Sequence, residues 1–161
     1  MKDNLKVRLC EPQDEEAYVR MNLAFMQEVR QDHAYWESIK FPTEEDLGKV
    51  FREAVSLPEK IKIFMIEYEG QIVGYANTWS IYSVWMMGRT LTIDDLFIHE
   101  AHRHKGLGKK VVKAIIEYAK NHGMKRVQLL AEKDNDVANH VYRKCGFSDQ
   151  EMLFFMNILN E

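Results

Sequence analysis

Cysteine is scarce: Cys10 and Cys145 are the two in 161 residues. They are too few for a disulfide framework and fit no metal-ligand spacing, so both are expected as buried or free thiols in a reducing compartment. No apolar run is long enough to cross a bilayer, and no signal-peptide or lipidation pattern occurs. A cytoplasmic chain with no membrane partner is expected. Neither sign of charge dominates; the net charge is −3 and the pI about 6.1, which gives no global attraction for nucleic acid. Repeats, low-complexity segments and interdomain linkers are absent, so residues 1–161 are expected to form a single domain. Apolar residues are plentiful. At 46% hydrophobic and 11% aromatic, the chain can bury a core and lies outside the range of disordered sequences.

Periodicity predicts the elements. Leu5, Val7 and Leu9 alternate with Lys6 and Arg8 as a half-buried strand, and Pro12 ends it. A helix follows from about Asp14 to Gln31, with Tyr18, Met21, Phe25 and Val29 on one face. A second helix opens at Thr43, an N-cap with Asp46 three residues on, and stops before Pro58. Ile61 to Tyr68 and Gln71 to about Tyr82 read as a hairpin turning at Glu69-Gly70. Leu107 to His122 is an amphipathic helix stopped by Gly123. A strand from Val127 to Ala131, a short helix from Asn135 to Cys145, and a last internal strand from Met152 to Leu159 complete the chain. This order predicts an α+β (mixed α/β) fold, with a mostly antiparallel sheet and helices on both faces.

The strand from Thr90 to Ile98 carries a defect. Leu91 and Ile93 are spaced by two, and the apolar series resumes at Leu96 and Ile98, one step out of phase, after Asp94-Asp95. One extra residue in a ladder does this, so a β-bulge is expected. An ordinary strand buried on both faces is the alternative, since Phe97 is apolar too. Next comes Arg103-His104-Lys105-Gly106-Leu107-Gly108, an R-x-x-G-x-G turn into a helix start, where unpaired N–H groups and the helix dipole favour phosphate. It is neither a P-loop, lacking G-K-[ST], nor the three-glycine dinucleotide fingerprint.

The basic run Arg103 to Lys113 lacks the interleaved aromatics of a nucleic-acid patch. His99, Glu100, His102 and His104 are spaced H-E-x-H, not H-E-x-x-H, and no metal is expected there. Further on, Asn135, Ala138, Asn139 and Tyr142 lie close to one helical face before Gly146-Phe147. On its own, Tyr142 reads as a core cap.

Together, the bulged strand, R-x-x-G-x-G and N-x-x-A-x-x-x-Y-x-x-x-G-F resemble the GNAT superfamily of N-acetyltransferases. The resemblance is most specific from about Ile93 to Phe147. Tyr75 to Ile98 is also similar to diamine (spermidine/spermine) acetyltransferases, in Trp85 before Gly88 and in the acidic pair Asp94-Asp95, whose first member is a glutamate in those enzymes.

The resemblance implies an acetyl-CoA-dependent N-acetyltransferase, with acetyl-CoA as co-substrate and a small-molecule amine as acceptor. A polyamine or diamine is the leading acceptor. An aminoglycoside, an amino acid, a protein N-terminus or a non-catalytic acyl-CoA-binding module are the alternatives. Phe97 and Ile98 would pair with the pantetheine amides. Arg103, His104, Lys105, Gly106, Leu107, Gly108 and Lys109 would hold the pyrophosphate, with Asn135 and Tyr142 on the cofactor side. Asp94 would serve as base, directly or through a water, and Tyr142 as the acid at sulfur. A strand N–H near Leu96 or Phe97 would hold the oxyanion. Asp95, Glu28, Asp32, Tyr35, Trp36, Tyr82 and Trp85 would surround a cationic acceptor. A homodimer is expected by analogy and from the apolar last strand.

Overall fold

The computed structural model describes residues 4–32 and 39–159. Among these a five-stranded sheet runs in chain order: β1 (Leu5–Leu9), β2 (Ile61–Tyr68), β3 (Gln71–Ser83), β4 (Gly88–Ile98) and β5 (Arg126–Leu129). The first four strands pair antiparallel and β5 lies parallel to β4. A parallel pair needs a crossover, here the helix α3 (Leu107–Asn121). α1 (Glu15–Asp32) and α2 (Glu44–Ser56) precede β2, and α4 (Asp136–Lys144) follows β5.

Local chemistry sets the helix starts. Thr43 caps α2 in a reciprocal box with Asp46, each side chain taking the other's backbone N–H. Before α1, a turn at Pro12–Asp14 is tied to β1 by Arg8, whose two terminal nitrogens grip Asp14 at 2.7 and 2.8 Å. This ion pair keeps the Asp14 carboxyl below its usual range, chiefly through the Arg8 hydrogen bond.

Two cores flank the sheet, as expected of helices on both faces. On one, Phe64, Ile66, Ala76, Leu91 and Ile93 pack against Val111, Ile115 and Ala119 of α3. On the other, Ile63, Met65, Tyr75 and Phe97 pack against Tyr18 and Met21 of α1 and Phe51 and Ala54 of α2. Leu96 and Ile98 lean on the first core, like Leu91 and Ile93. The out-of-phase apolar series therefore lies on one side of the sheet.

The expected last strand does not form. Residues 151–159 pair with no strand, and Met152, Leu153, Phe154 and Phe155 stand in solvent, Phe155 at 85% exposure. Their composition suits a buried strand, but a strand exists only in a ladder, and this segment has no ladder partner among the described residues.

Candidate active site

The bulge sits where the apolar phase slips. Asn77 of β3 faces Asp95 and Thr78 faces Ile93, so Asp94 has no partner. The parallel ladder to β5 covers only Thr90 to Ile93. From Asp94 onward β4 keeps β3 on one side, and its other edge has no strand partner among the described residues.

Which backbone groups line that edge follows from parity. The His99 N–H donates to the Val73 carbonyl at 2.9 Å. The Phe97 carbonyl oxygen presses on β3 so closely that a Cβ on Gly74 would lie 2.1 Å from it. Phe97 thus spends its backbone on β3, and alternation turns Leu96 and Ile98 to the open edge. Of the two residues expected to pair with a ligand's amides, Ile98 faces the edge and Phe97 does not. Leu96 faces the same edge as Ile98. Sequence alternation carries this parity but not which edge is free.

The two aspartates occupy different surroundings. Asp94 is exposed, whereas Asp95 is mostly buried on the α1–α2 side. The Tyr18 hydroxyl donates to Asn77 Oδ1 at 3.0 Å, and Asn77 Nδ2 donates to Asp95 Oδ2 at 2.8 Å. Burial raises the Asp95 carboxyl above its usual range, the Asn77 hydrogen bond opposes this, and the Asp94 charge adds to it. Burial also pushes the Tyr18 phenol up to about 12 and that of Tyr75 well above its ordinary value. Of the two raising causes, burial outweighs repulsion from Asp94. Tyr18 and Asn77 carry no local signal, being 59 residues apart.

The glycine turn opens α3. Gly106 is its N-cap in the left-handed region at φ 72°, and His104 shares that region at φ 62°. Among the described residues, no atom beyond the adjoining backbone lies within 4 Å of where a Cβ would stand on Gly106 or Gly108, so both face open space. Leu107 between them is buried and anchors the turn. His104, Lys105 and Lys109 are exposed around the unpaired amides of the helix start. Arg103 is committed elsewhere. Its Nε donates to the Ile98 carbonyl at 2.7 Å, its Nη2 pairs with Glu28 of α1 at 2.7 Å, and its guanidinium lies 5.5 Å from the Phe97 ring centre. Lys105 lies over the Tyr68 ring.

Asn135 caps α4, its Oδ1 accepting the Ala138 N–H at 3.2 Å. Asn139 ties the preceding loop by donating to the Glu132 and Lys133 carbonyls. Tyr142 is largely buried against Phe147, and its hydroxyl has no hydrogen-bond partner among the described residues. Burial raises its phenol above the ordinary value of 10.0, so it stays protonated. The end of α4 meets the start of α3, where the Cys145 thiol lies 3.7 Å from the Lys109 carbonyl.

The expected acceptor ring is only partly assembled. Glu28 reaches the open edge through Arg103, and Asp95 lies at the bulge. Tyr82 and Trp85 instead mark the tip of the β3–β4 hairpin, Trp85 at 92% exposure. Tyr82 is five residues along β3 from Asn77, about 17 Å at the rise of a strand. The Asp32 side chain, Tyr35 and Trp36 lie outside the described residues. Among those described, no three His, Cys, Asp or Glu are grouped to hold a metal ion, and no helix is long and apolar enough to cross a membrane.

Comparison with known proteins adds family relations. A model of the acetyltransferase (GNAT) family matches residues 19–147. A thialysine N-epsilon-acetyltransferase of Mus musculus is 32% identical over 78 residues, covering 48% of this chain and 45% of that protein. A spermine/spermidine N(1)-acetyltransferase of Bacillus subtilis (strain 168) is 35% identical over 83 residues, covering 50% and 55%. The chain thus spans about half the length of these curated relatives. Among solved structures, an aminoglycoside acetyltransferase from an uncultured soil metagenomic sample superposes with TM-score 0.75 at 19% identity, covering 99% of both chains. That likeness establishes the fold.

Proposed function

The chain belongs to the acetyltransferase (GNAT) family, and on that premise we propose that it transfers the acetyl group of acetyl-CoA to a primary amine of a diamine or polyamine. One observation carries the reading. The β4–β5 ladder stops at Ile93, and the open edge beyond it leads into a glycine turn with room at Gly106 and Gly108. An extended chain of amides pairs with such an edge as a strand would, and a pyrophosphate suits the helix start. The residues present fit both parts of the co-substrate. Asn135, read as lying on the cofactor side, caps the helix that bears Tyr142.

The chemistry then falls to a few groups. An alkylammonium has no lone pair, and its pKa of roughly 10.4 leaves little neutral amine at pH 7. A carboxylate of the Asp94–Asp95 pair takes the proton. The Leu96 N–H holds the oxyanion as the N–C bond forms, and Tyr142 protonates sulfur as the C–S bond breaks. The second ammonium of the acceptor remains charged beside the pair. The B. subtilis relative, named for spermine and spermidine, favours a polyamine acceptor.

A panel of amines assayed for CoA release, with products weighed by mass spectrometry, tests this. Diamines and polyamines are expected to outcompete amino acids, whose carboxylate the pair repels. A preference for an anionic or uncharged acceptor sinks the polyamine reading and leaves acetyl transfer standing. Binding of CoA without any product supports a non-catalytic module instead.

The protein is also proposed to be a homodimer. Leu153, Phe154 and Phe155 of the tail and Val84, Trp85 and Met87 of the hairpin tip expose more apolar surface than scattered single residues do. Light scattering at micromolar concentration should give twice the chain mass of 19.0 kDa. A monomer mass removes the proposal.

A further inference from the structure

We infer that Asp95, rather than Asp94, is the proton acceptor for the attacking amine, and that Asn77 and Tyr18 are positioning residues that hold its carboxylate in place. The inference rests on the acetyl-transfer reading and deepens it. It reverses the roles expected from the sequence, where Asp94 was the base and Asp95 a charge for the acceptor.

The hydrogen bonds form a chain with one direction. The Tyr18 hydroxyl donates to the Asn77 side-chain oxygen at 3.0 Å, and the Asn77 side-chain nitrogen donates to Asp95 Oδ2 at 2.8 Å. An amide can rotate end for end, but then its nitrogen would meet the tyrosine's donor and its oxygen the carboxylate. The ionised Asp95 carboxylate, which can only accept, disfavours that orientation, because two oxygens would then face each other. The ionised Asp95 Oδ2 therefore accepts the Asn77 N–H, and Oδ1 is left to take a proton.

The surroundings suit a group that gains and loses charge. Facing the Asp95 carboxylate are Tyr18 from α1, Asn77 and Tyr75 from β3, and Asp94 from β4; Cys10 lies beyond Tyr18. None is a cation. The Tyr75 hydroxyl is buried with no hydrogen-bond partner among the described residues and feels the Asp95 charge. Asp95 keeps some exposure, at the point where β4 loses β5. Exposed Asp94, with no strand partner, is placed to meet the second ammonium of a diamine.

The step balances. The ammonium gives one proton to Asp95 Oδ1. Its nitrogen attacks the thioester carbon, the N–C bond forms and the C–S bond breaks. Tyr142 protonates sulfur, and the remaining surplus N–H proton restores the Tyr142 phenol through solvent. Asp95 releases its proton to solvent once the amide leaves.

Two readouts on the whole chain test this. One is carboxyl titration by NMR with ¹³C-labelled aspartate, without substrate. The other is kcat against pH with the best amine of the panel. Tyr18→Phe keeps the ring that packs on Phe51 and Tyr75 and removes only the donor. Freed Asn77 then loses its hold on Asp95, so the Asp95 midpoint should rise in both Tyr18→Phe and Asn77→Leu. The acidic limb of kcat should move to higher pH by the same amount, with the acetyl-CoA KM unchanged. Asp95→Asn should abolish that limb and lower kcat roughly 10²–10⁴-fold, the usual reach of a general base. Asp94→Asn should keep the limb and raise the diamine KM.

If the Asp95 midpoint stays put in Tyr18→Phe, the positioning is overturned whatever the activity. If the limb vanishes with Asp94→Asn instead, the base assignment is overturned. A midpoint that moves in a chain that acetylates no amine overturns the base assignment through the acetyl-transfer reading, and leaves the positioning intact.

Discussion

Tyr142→Phe is expected to lower turnover by about 10²–10⁴-fold, the usual contribution of a general acid, with little change in acetyl-CoA affinity. A departing thiolate needs a proton, and Tyr142 is suited to supply one. Burial against Phe147 holds its phenol above 10.0, and no other group draws on its hydroxyl among the described residues. The loss should be confined to kcat, because phenylalanine keeps the ring packing. Activity of the unaltered protein should also persist on the basic side until the phenol ionises, above its ordinary value. Single-turnover measurements would separate this step from product release. Unchanged turnover would mean that sulfur leaves without Tyr142, and a melted variant would mean that the ring serves the core alone.

Gly108→Trp is expected to abolish CoA binding while the chain stays folded. The reasoning is steric. A Cβ at Gly108 meets nothing within 4 Å, so the added side chain has no clash to relieve. It would instead stand over the first amides of α3, where the pyrophosphate is proposed to lie. Helix propensity slightly favours the change, since glycine is among the poorest helix formers. Calorimetric titration with CoA, beside a thermal melt, decides the matter. Retained affinity in a folded variant would remove the glycine turn from the binding site.

The sequence carried the sheet and the bulge well, because both are written in local alternation. The slip from Leu91 and Ile93 to Leu96 and Ile98 marked the bulge to the residue, and Thr43 with Asp46 marked a helix start. Long-range placement was less legible. Tyr18, Asn77 and Asp95 come from a helix and two strands, and nothing near any of them in the chain announces the others. Trp85 is close to Asp94 in number, yet the hairpin carries it to the far end of β4. Residues 152–159 resemble a strand in sequence and form none, because side-chain composition reports the taste for a strand, not the presence of a neighbour.

Asp94 has a consequence in genetic terms. Remove that one codon and the strand would read Leu91, Ile93, Leu96, Ile98 in unbroken alternation, these four side chains still facing α3. The hydrophobic pattern would not register the loss. The register shift between β3 and β4, beside the point where the β5 ladder ends, is a single inserted residue that the core does not need. An in-frame deletion there could yield a descendant that folds at least as well and has nowhere to lay a ligand. Inheritance would then separate the scaffold from the proposed activity in one step, and Asp94 is the position to inspect first in any related chain that has the fold and shows no catalysis.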